Sequence, residues 1–374
     1  MRRPLLLLGC AVLGLGCLER AGLTGVTATG PRATPAGVVL SGELVVVTDP
    51  GVDTRSGPTT SYAAGHVRAL DAATGTLRAT SATRFKNPLF VTAVDDRFYV
   101  SGPGPLVTSG GTTVATEDGG IDVFTRDGLL ASAAPVASVR LAGAPGRVVP
   151  IGQGRAILPS ALSPVLYRVV LDPLSVEHGP ADPLRLPAPL DRTDQVDTLT
   201  VALAPGAGLV VTSFNTDLLL VLDPHTGATI RGPVSVRRDP QASLIEGPLD
   251  LAVCADGLRP DVFVMKDLSN LIAAVDSTTL AVEPAFAVVG PVANRIACTA
   301  GSLVVTNSGK NDVQVIDRVT GATTARIAYD PGCSPWETAV QDGRLVTTLY
   351  GCGRVALAEL ATAKLRWSVA LAAP

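Results

Sequence analysis

Val315–Ile316–Asp317–Arg318–Val319–Thr320–Gly321 decides the fold, because the chain writes the same phrase repeatedly. Leu220–Val221–Leu222–Asp223–Pro224–His225–Thr226–Gly227 and Val67–Arg68–Ala69–Leu70–Asp71–Ala72–Ala73–Thr74–Gly75 are two further clear copies. Each is a short apolar strand, an Asp, a Thr–Gly turn and the start of another strand. With looser copies the phrase occurs seven times. Its spacing of roughly 40–50 residues, with strand-like content, marks a radial repeat. The expected fold is all-β, a seven-bladed β-propeller of four-stranded antiparallel blades. An Asp before a tight turn accepts backbone N–H groups, and Gly supplies positive φ. Asp71, Asp223, Asp276 and Asp317 therefore read as turn formers rather than catalytic acids.

Each repeat divides into strands A to D, with β-branched runs and alternation marking strands and Gly, Asp and Pro marking turns. The repeats run Pro35–Arg84, Pro88–Gly143, Ala144–Ala188, Asp194–Arg237, Gly247–Gly290, Pro291–Asp330 and Pro331–Pro374. Thr125 stands at the acidic position in the second and Glu359 in the seventh. With 374 residues and 47% apolar residues there is material for a large core, and at 4% aromatic content it is built mainly from Ala, Val and Leu. The net charge of −3, without long runs of one sign, gives no nucleic-acid footprint.

The N-terminus reads as an export signal. Met1–Arg2–Arg3 is a basic start, and Pro4 to Gly16 is an apolar run shorter than the ~20 residues a membrane-spanning helix needs. The small residues before Cys17 resemble the lipobox of bacterial lipoproteins. That resemblance implies a signal over 1–16, lipidation of Cys17, a tether over 17–34 and a propeller over 35–374. It also implies an extracytoplasmic protein anchored in a bacterial membrane, with Leu18 after the lipid site pointing to the outer membrane. An ordinary secretory signal accounts for the same layout. A monomer is expected.

The stretch Pro291 to Ile327, with Ser302–Leu303–Val304–Val305–Thr306–Asn307 and Asp312–Val313–Gln314–Val315–Ile316–Asp317, resembles the repeat of YncE-type periplasmic seven-bladed propellers. Ala69–Leu70–Asp71–Ala72–Ala73–Thr74–Gly75 and Lys364–Leu365–Arg366–Trp367 resemble quinoprotein-type repeats. Those carry a Trp in nearly every blade, whereas this chain has only Trp336 and Trp367. Such motifs speak to fold and little to function.

In a propeller the B–C and D–A connections share one face. Here they are the long ones, notably 49–65 and 102–119. Loops on a rigid scaffold are where binding residues concentrate. A site for a protein or small-molecule partner is expected there, with Asp49, Asp53, Arg55, Tyr62, Arg295, Lys310, Trp336 and Tyr350 as candidates. Solvated, unspecific loops fit the same composition.

Beyond Cys10 and Cys17, four cysteines remain. Cys333 and Cys352 fall on one face of the seventh repeat, which places them for a disulfide in an oxidising compartment. Cys254 and Cys298 occupy equivalent positions on adjacent innermost strands, where a disulfide and two separate buried thiols are both accommodated. No Cys-x-x-Cys spacing or His pair suggests a metal, and no cofactor is implied.

No nucleophile elbow and no phosphate-binding loop occurs. Propeller lactonases use acidic and histidine side chains lining the central channel, and the nearest groups here are Asp194, Asp250, Asn294 and Glu337. The sequence thus points to a membrane-anchored binding or scaffolding propeller. A channel-centred hydrolase or lactonase is the alternative from another class. A docking subunit like the propeller lipoprotein of the outer-membrane β-barrel assembly machinery is a narrower version, although that family has eight repeats.

Overall fold

The structure is a computed structural model that describes residues 33–56, 59–62, 64–109, 112–115, 119–190 and 199–372, without side chains for 52–62 and 106–115. The proposed signal, Cys10, Cys17 and Asp194 lie outside the described residues.

Among the described residues seven antiparallel sheets follow one another along the chain, five of them built from consecutive strands and the first two interrupted by a hairpin between their second and third strands. Blade 1 holds β1 (Val38–Ser41), β2 (Leu44–Asp49), β5 (His66–Asp71) and β6 (Leu77–Ala82). Blade 2 holds β7 (Phe90–Val94), β8 (Arg97–Gly102), β11 (Gly120–Thr125) and β12 (Ala137–Arg140). Blade 3 holds β13 (Val149–Gly152), β14 (Arg155–Pro159), β15 (Val165–Leu171) and β16 (Leu174–His178), with β17 (Leu184–Arg185) also on β15. Blade 4 holds β18 (Leu199–Ala204), β19 (Gly208–Ser213), β20 (Leu218–Leu222) and β21 (Thr229–Ser235). Blade 5 holds β22 (Pro248–Val253), β23 (Val262–Lys266), β24 (Leu271–Val275) and β25 (Val282–Val288). Blade 6 holds β26 (Ala293–Thr299), β27 (Ser302–Asn307), β28 (Asp312–Asp317) and β29 (Thr323–Ala328). Blade 7 holds β30 (Pro335–Gln341), β31 (Arg344–Leu349), β32 (Arg354–Glu359) and β33 (Lys364–Ala370).

The repeated phrase does what its chemistry dictates. Asp317 Oδ1 accepts from Val319 N (3.0 Å) and Thr320 N (2.7 Å), and Gly321 takes φ +70°. Asp71, Asp223 and Asp276 each accept from the two equivalent backbone N–H groups. Thr125 departs from the pattern. Its hydroxyl caps a short helix, α1 (Arg126–Leu130), which replaces the tight turn of blade 2.

The middle strands are covered on both sides by neighbouring blades, so they read as continuous apolar runs rather than alternating ones. β23 and β24 are buried at every position. Neighbouring blades share apolar clusters. In one, Val149, Ile157 and Leu166 of blade 3 meet Val201, Val211 and Leu220 of blade 4. Among the described residues the ring closes without a strand exchanged between its ends. Val38, Val45, Val47 and Leu70 of blade 1 pack against Val346, Val355 and Leu357 of blade 7. Thr348 Oγ1 donates to Ala36 O across that seam at 2.6 Å.

An eighth sheet lies outside the ring. The B–C connections of blades 1 and 2 each form a hairpin, β3 (Val52–Ser56) with β4 (Thr59–Tyr62) and β9 (Leu106–Ser109) with β10 (Thr112–Ala115). The hairpins join in the order β10-β9-β4-β3 through the pair Thr59↔Val107. The long loops expected to be neighbours on one face are therefore hydrogen-bonded to each other.

Candidate functional site in the central channel

The innermost strands surround a cavity of 490 Å³. Its deeper wall is mainly aliphatic, with Val39, Ala93, Val201, Leu251, Ile296 and Ala339, and the hydroxyls of Thr92 and Thr338 donate to Val148 O (2.8 Å) and Val346 O (2.9 Å). At the starts of these strands, the end that faces the B–C and D–A connections, the lining turns charged: Arg147, Asp250, Arg295 and Glu337.

These four residues occupy one equivalent position on blades 3, 5, 6 and 7. Each stands two residues after the first paired residue of its blade, Pro145, Pro248, Ala293 or Pro335. In every case the inner strand carries one extra residue there relative to its neighbour. Blade 6, for example, pairs Ala293↔Asn307 and then Arg295↔Thr306. A β-bulge re-aims a side chain and bends the strand, and here the same device is used four times.

A hydroxyl on the second strand supports the bulge. Thr306 Oγ1 accepts from Arg295 N (3.0 Å) and Thr348 Oγ1 from Glu337 N (3.1 Å). Thr48 Oγ1 accepts from Gly37 N (2.8 Å), the equivalent position in blade 1. Thr306 and Thr348 also donate to the carbonyl before the ring position of the next blade, Trp336 O (3.1 Å) and Ala36 O (2.6 Å). Ser101, on the second strand of blade 2, and Thr200, on the first strand of blade 4, donate to the corresponding carbonyls Gly146 O (2.7 Å) and Leu249 O (2.8 Å). Asp250 Oδ2 accepts from Ile296 N at 2.9 Å and so ties blade 5 to blade 6. Gly37 leaves a gap in the ring because a Cβ there would lie 2.6 Å from Leu89 O.

The charged side chains span the channel. Arg147 of blade 3 pairs with Glu337 of blade 7 at 2.5 Å, three blades away and as far apart as a ring of seven allows. The Arg295 guanidinium of blade 6 lies 5.5 Å from the centre of the Phe90 ring of blade 2, an equally wide crossing. Phe90 also has Arg147 at 5.4 Å, and Trp336 has Arg295 at 5.6 Å. Cations over aromatic faces at these distances attract the ring quadrupole.

Electrostatics is balanced but strained by burial. Glu337 is 2% exposed, and burial pushes its carboxyl above the ordinary range; Arg147 and Arg295 oppose the shift and Asp250 adds to it. Burial also raises Asp250, against Arg295 and Arg147. For Arg147 burial acts downward, but Glu337 and Asp250 outweigh it and the guanidinium is held above its usual value. Several polar atoms at the ring are buried with no hydrogen-bond partner: Arg295 Nε, Glu337 Oε2, Asn294 Oδ1 and Trp336 Nε1. Among the described residues no group of three or more His, Cys, Asp or Glu side chains is placed to hold a metal.

Of the residues singled out from the sequence, Arg295 and Trp336 meet at the channel, with the Tyr350 ring 5.8 Å from that of Trp336 and tilted against it by 41°. Asp250 and Glu337 line the cavity, and Asn294 is buried beside it, donating to Pro335 O. Asp49 is fully buried instead; it accepts from Arg68 (2.9 Å) and Thr34 N (3.0 Å) and anchors the start of blade 1. Lys310 is exposed in a short 3-10 turn after β27. Asp53, Arg55 and Tyr62 lie on β3 and β4, where side chains are outside the described residues. Sequence reasoning missed Arg147 and Phe90. A signal for Arg147 existed: Pro145–Gly146–Arg147, Pro248–Leu249–Asp250 and Pro335–Trp336–Glu337 share a Pro-x-charged pattern at the start of their repeats.

Both cysteine pairs are disulfides. Cys254–Cys298 joins blades 5 and 6 just beyond β22 and within β26, the strands that carry Asp250 and Arg295. Cys333–Cys352 ties the connection entering blade 7 to the turn between its second and third strands, both on the face of the B–C and D–A connections.

No protein-family model matches the chain, and no curated protein matches it. Solved structures do. A streptogramin B lyase aligns with TM-score 0.56 and 12% identity, over 87% of this chain and 93% of the lyase. A 6-phosphogluconolactonase-like protein from Bacteroides fragilis aligns with TM-score 0.59 and 13% identity, over 93% of this chain and 97% of its own. The computationally designed protein Ika8 aligns with TM-score 0.53 and 11% identity, over 93% and 90%. At such low identity the likeness is one of fold, and the fold shared is the β-propeller.

Proposed function

We propose that this protein is an extracytoplasmic, membrane-tethered propeller that binds a small molecule in its central channel. One observation carries the reading: four blades independently place a charged side chain at the same bulged position above a 490 Å³ cavity, within the size range of ligand pockets. A propeller serving only as a spacer has no need of a carboxyl as buried as that of Glu337, 2% exposed, since buried charge is costly unless paired. The partnerless polar atoms around the ring support the same reading. Export is supported by the two disulfides and by the N-terminal signal pattern ending at Cys17. The accessory sheet on the B–C face supports a second reading, a docking platform for a protein partner.

The test is native mass spectrometry of the chain purified gently from membranes. A bound small molecule is expected, lost when Asp250, Asn294 and Glu337 are replaced together by alanine in a protein that still melts cooperatively. No adduct, and no thermal shift with any member of a metabolite panel, would overturn the channel reading. Activity against lactones that disappears in Asp250→Asn would convert the binder into an enzyme. Cys17→Ala is expected to move the protein from the membrane to the soluble fraction.

A further inference from the structure

We propose that the channel takes an uncharged or zwitterionic amphiphile, with its polar head at the ring and its apolar body along the deeper wall, and that it rejects phosphorylated ligands. The inference rests on the channel being a binding site and adds the chemistry of what fits it.

Charge comes first. The ring position carries two guanidinium groups and two carboxyl groups, so it is neutral when all four are ionised. A cradle for a phosphate dianion needs an excess of donors and positive charge. Here a dianion placed among Arg147 and Arg295 would also face Asp250 and Glu337. The cations are already engaged as well. Arg147 holds Glu337, and Arg295 lies between Phe90 and Trp336 and donates to Asn294 O at 2.9 Å. Releasing Arg147 to a phosphate would strand the carboxyl of Glu337, which is 2% exposed and already has one oxygen without a partner. Unpaired buried charge is among the most costly arrangements a protein can adopt.

The wall comes second. Below the ring every blade contributes aliphatic side chains, including Val39, Ala93, Val149, Val201, Leu251, Ala297 and Ala339, with no further charge among the lining residues. An apolar body gains from leaving water there. The ring can then satisfy one head group at a time, with Asp250 accepting a hydrogen bond and the guanidinium edges donating. A ligand with a donor and an acceptor on one end of an apolar body meets both requirements.

The experiment uses a matched pair of fluorescent probes with the same aromatic body. N-phenyl-1-naphthylamine is uncharged and carries one N–H donor; 8-anilinonaphthalene-1-sulfonate adds an anion. With the full-length protein, the uncharged probe is expected to bind with a blue-shifted emission and at least tenfold tighter than the sulfonate. Phosphate or 6-phosphogluconate should displace neither. Replacing both acids, Asp250→Asn with Glu337→Gln, should narrow the gap by strengthening the sulfonate. Two channel-filling variants, Ala297→Trp and Ala339→Phe, each checked for a cooperative melt, locate the binding. If binding survives both, the channel is not the site and the underlying reading fails. If binding is channel-dependent but the sulfonate or phosphate ligands win, the channel reading stands and the assignment of ligand class is overturned.

Discussion

Removing the Cys254–Cys298 disulfide should cost this protein more than removing any single apolar contact, and most of the cost should arise in the unfolded chain. The bond spans 44 residues. Cross-linking a loop of that length removes about 4 kcal/mol of chain entropy from the denatured ensemble. The folded state loses little beside it, because Cys254→Ala with Cys298→Ala removes only two sulfur atoms from a cluster that includes Phe263, Ile272 and Leu303. The Cys333–Cys352 bond spans 19 residues, for which the same relation gives about 3 kcal/mol. The assay is equilibrium urea unfolding followed by the fluorescence of Trp336 and Trp367. Two results are expected together: the 254/298 variant loses more stability than the 333/352 variant, by roughly 0.7 kcal/mol from the ratio of loop lengths, and its m value rises because a longer stretch of denatured chain becomes free to expand. A loss below about 1 kcal/mol with an unchanged m value would refute the reasoning, since the bond would then constrain nothing that unfolds.

Three further predictions follow from the ring. Thr348→Val removes the hydroxyl that accepts from Glu337 N and donates to Ala36 O, leaving two buried backbone groups unpaired at the seam between blades 7 and 1; a loss of about 2–4 kcal/mol is expected in the same urea assay. Gly37→Ala drives a Cβ against Leu89 O and should cost about 1–3 kcal/mol, measured as a lower melting temperature, because backbone is on the receiving side and cannot swing away. The third concerns pH. Burial raises the Glu337 carboxyl in the folded protein, so between its unfolded and folded values the native state binds more protons than the unfolded chain. Its contribution is therefore fully present at acidic pH and is lost as pH rises through the folded value. Glu337→Gln should flatten that part of the stability profile. The lowered carboxyls of Asp71, Asp223 and Asp317 act in the opposite sense, losing their contribution as pH falls, and should be untouched by the variant. A Gln variant with the wild-type slope above the ordinary glutamate range would remove the basis for this sign.

What the sequence alone determined was whatever is settled within a few residues. Asp317, Thr320 and Gly321 form their turn from their own backbone and side chains, so the phrase could be read in each copy and the blades counted from it. The middle strands were legible for a similar reason, since continuous β-branched runs fit only a strand covered on both faces. Even here local reading had a limit. Thr125 occupies the acidic position yet caps a helix, a choice made by the residues after it. The channel belongs to the tertiary structure. Arg147 and Glu337 are 190 residues apart and meet only because seven blades close into a ring. The bulges that turn them inward are differences of register between two strands, and neither strand shows them when read singly. The sequence around Cys254 fits a bond and a free thiol equally for the same reason: its partner lies on another blade, and only the packing of β26 beside β22 brings Cys298 within a Cα–Cα distance of 5.5 Å. Turns and strands follow from short-range hydrogen bonding and side-chain shape, whereas the charged ring depends on the angle at which successive twisted sheets stack, a property of the closed circle that no single repeat contains.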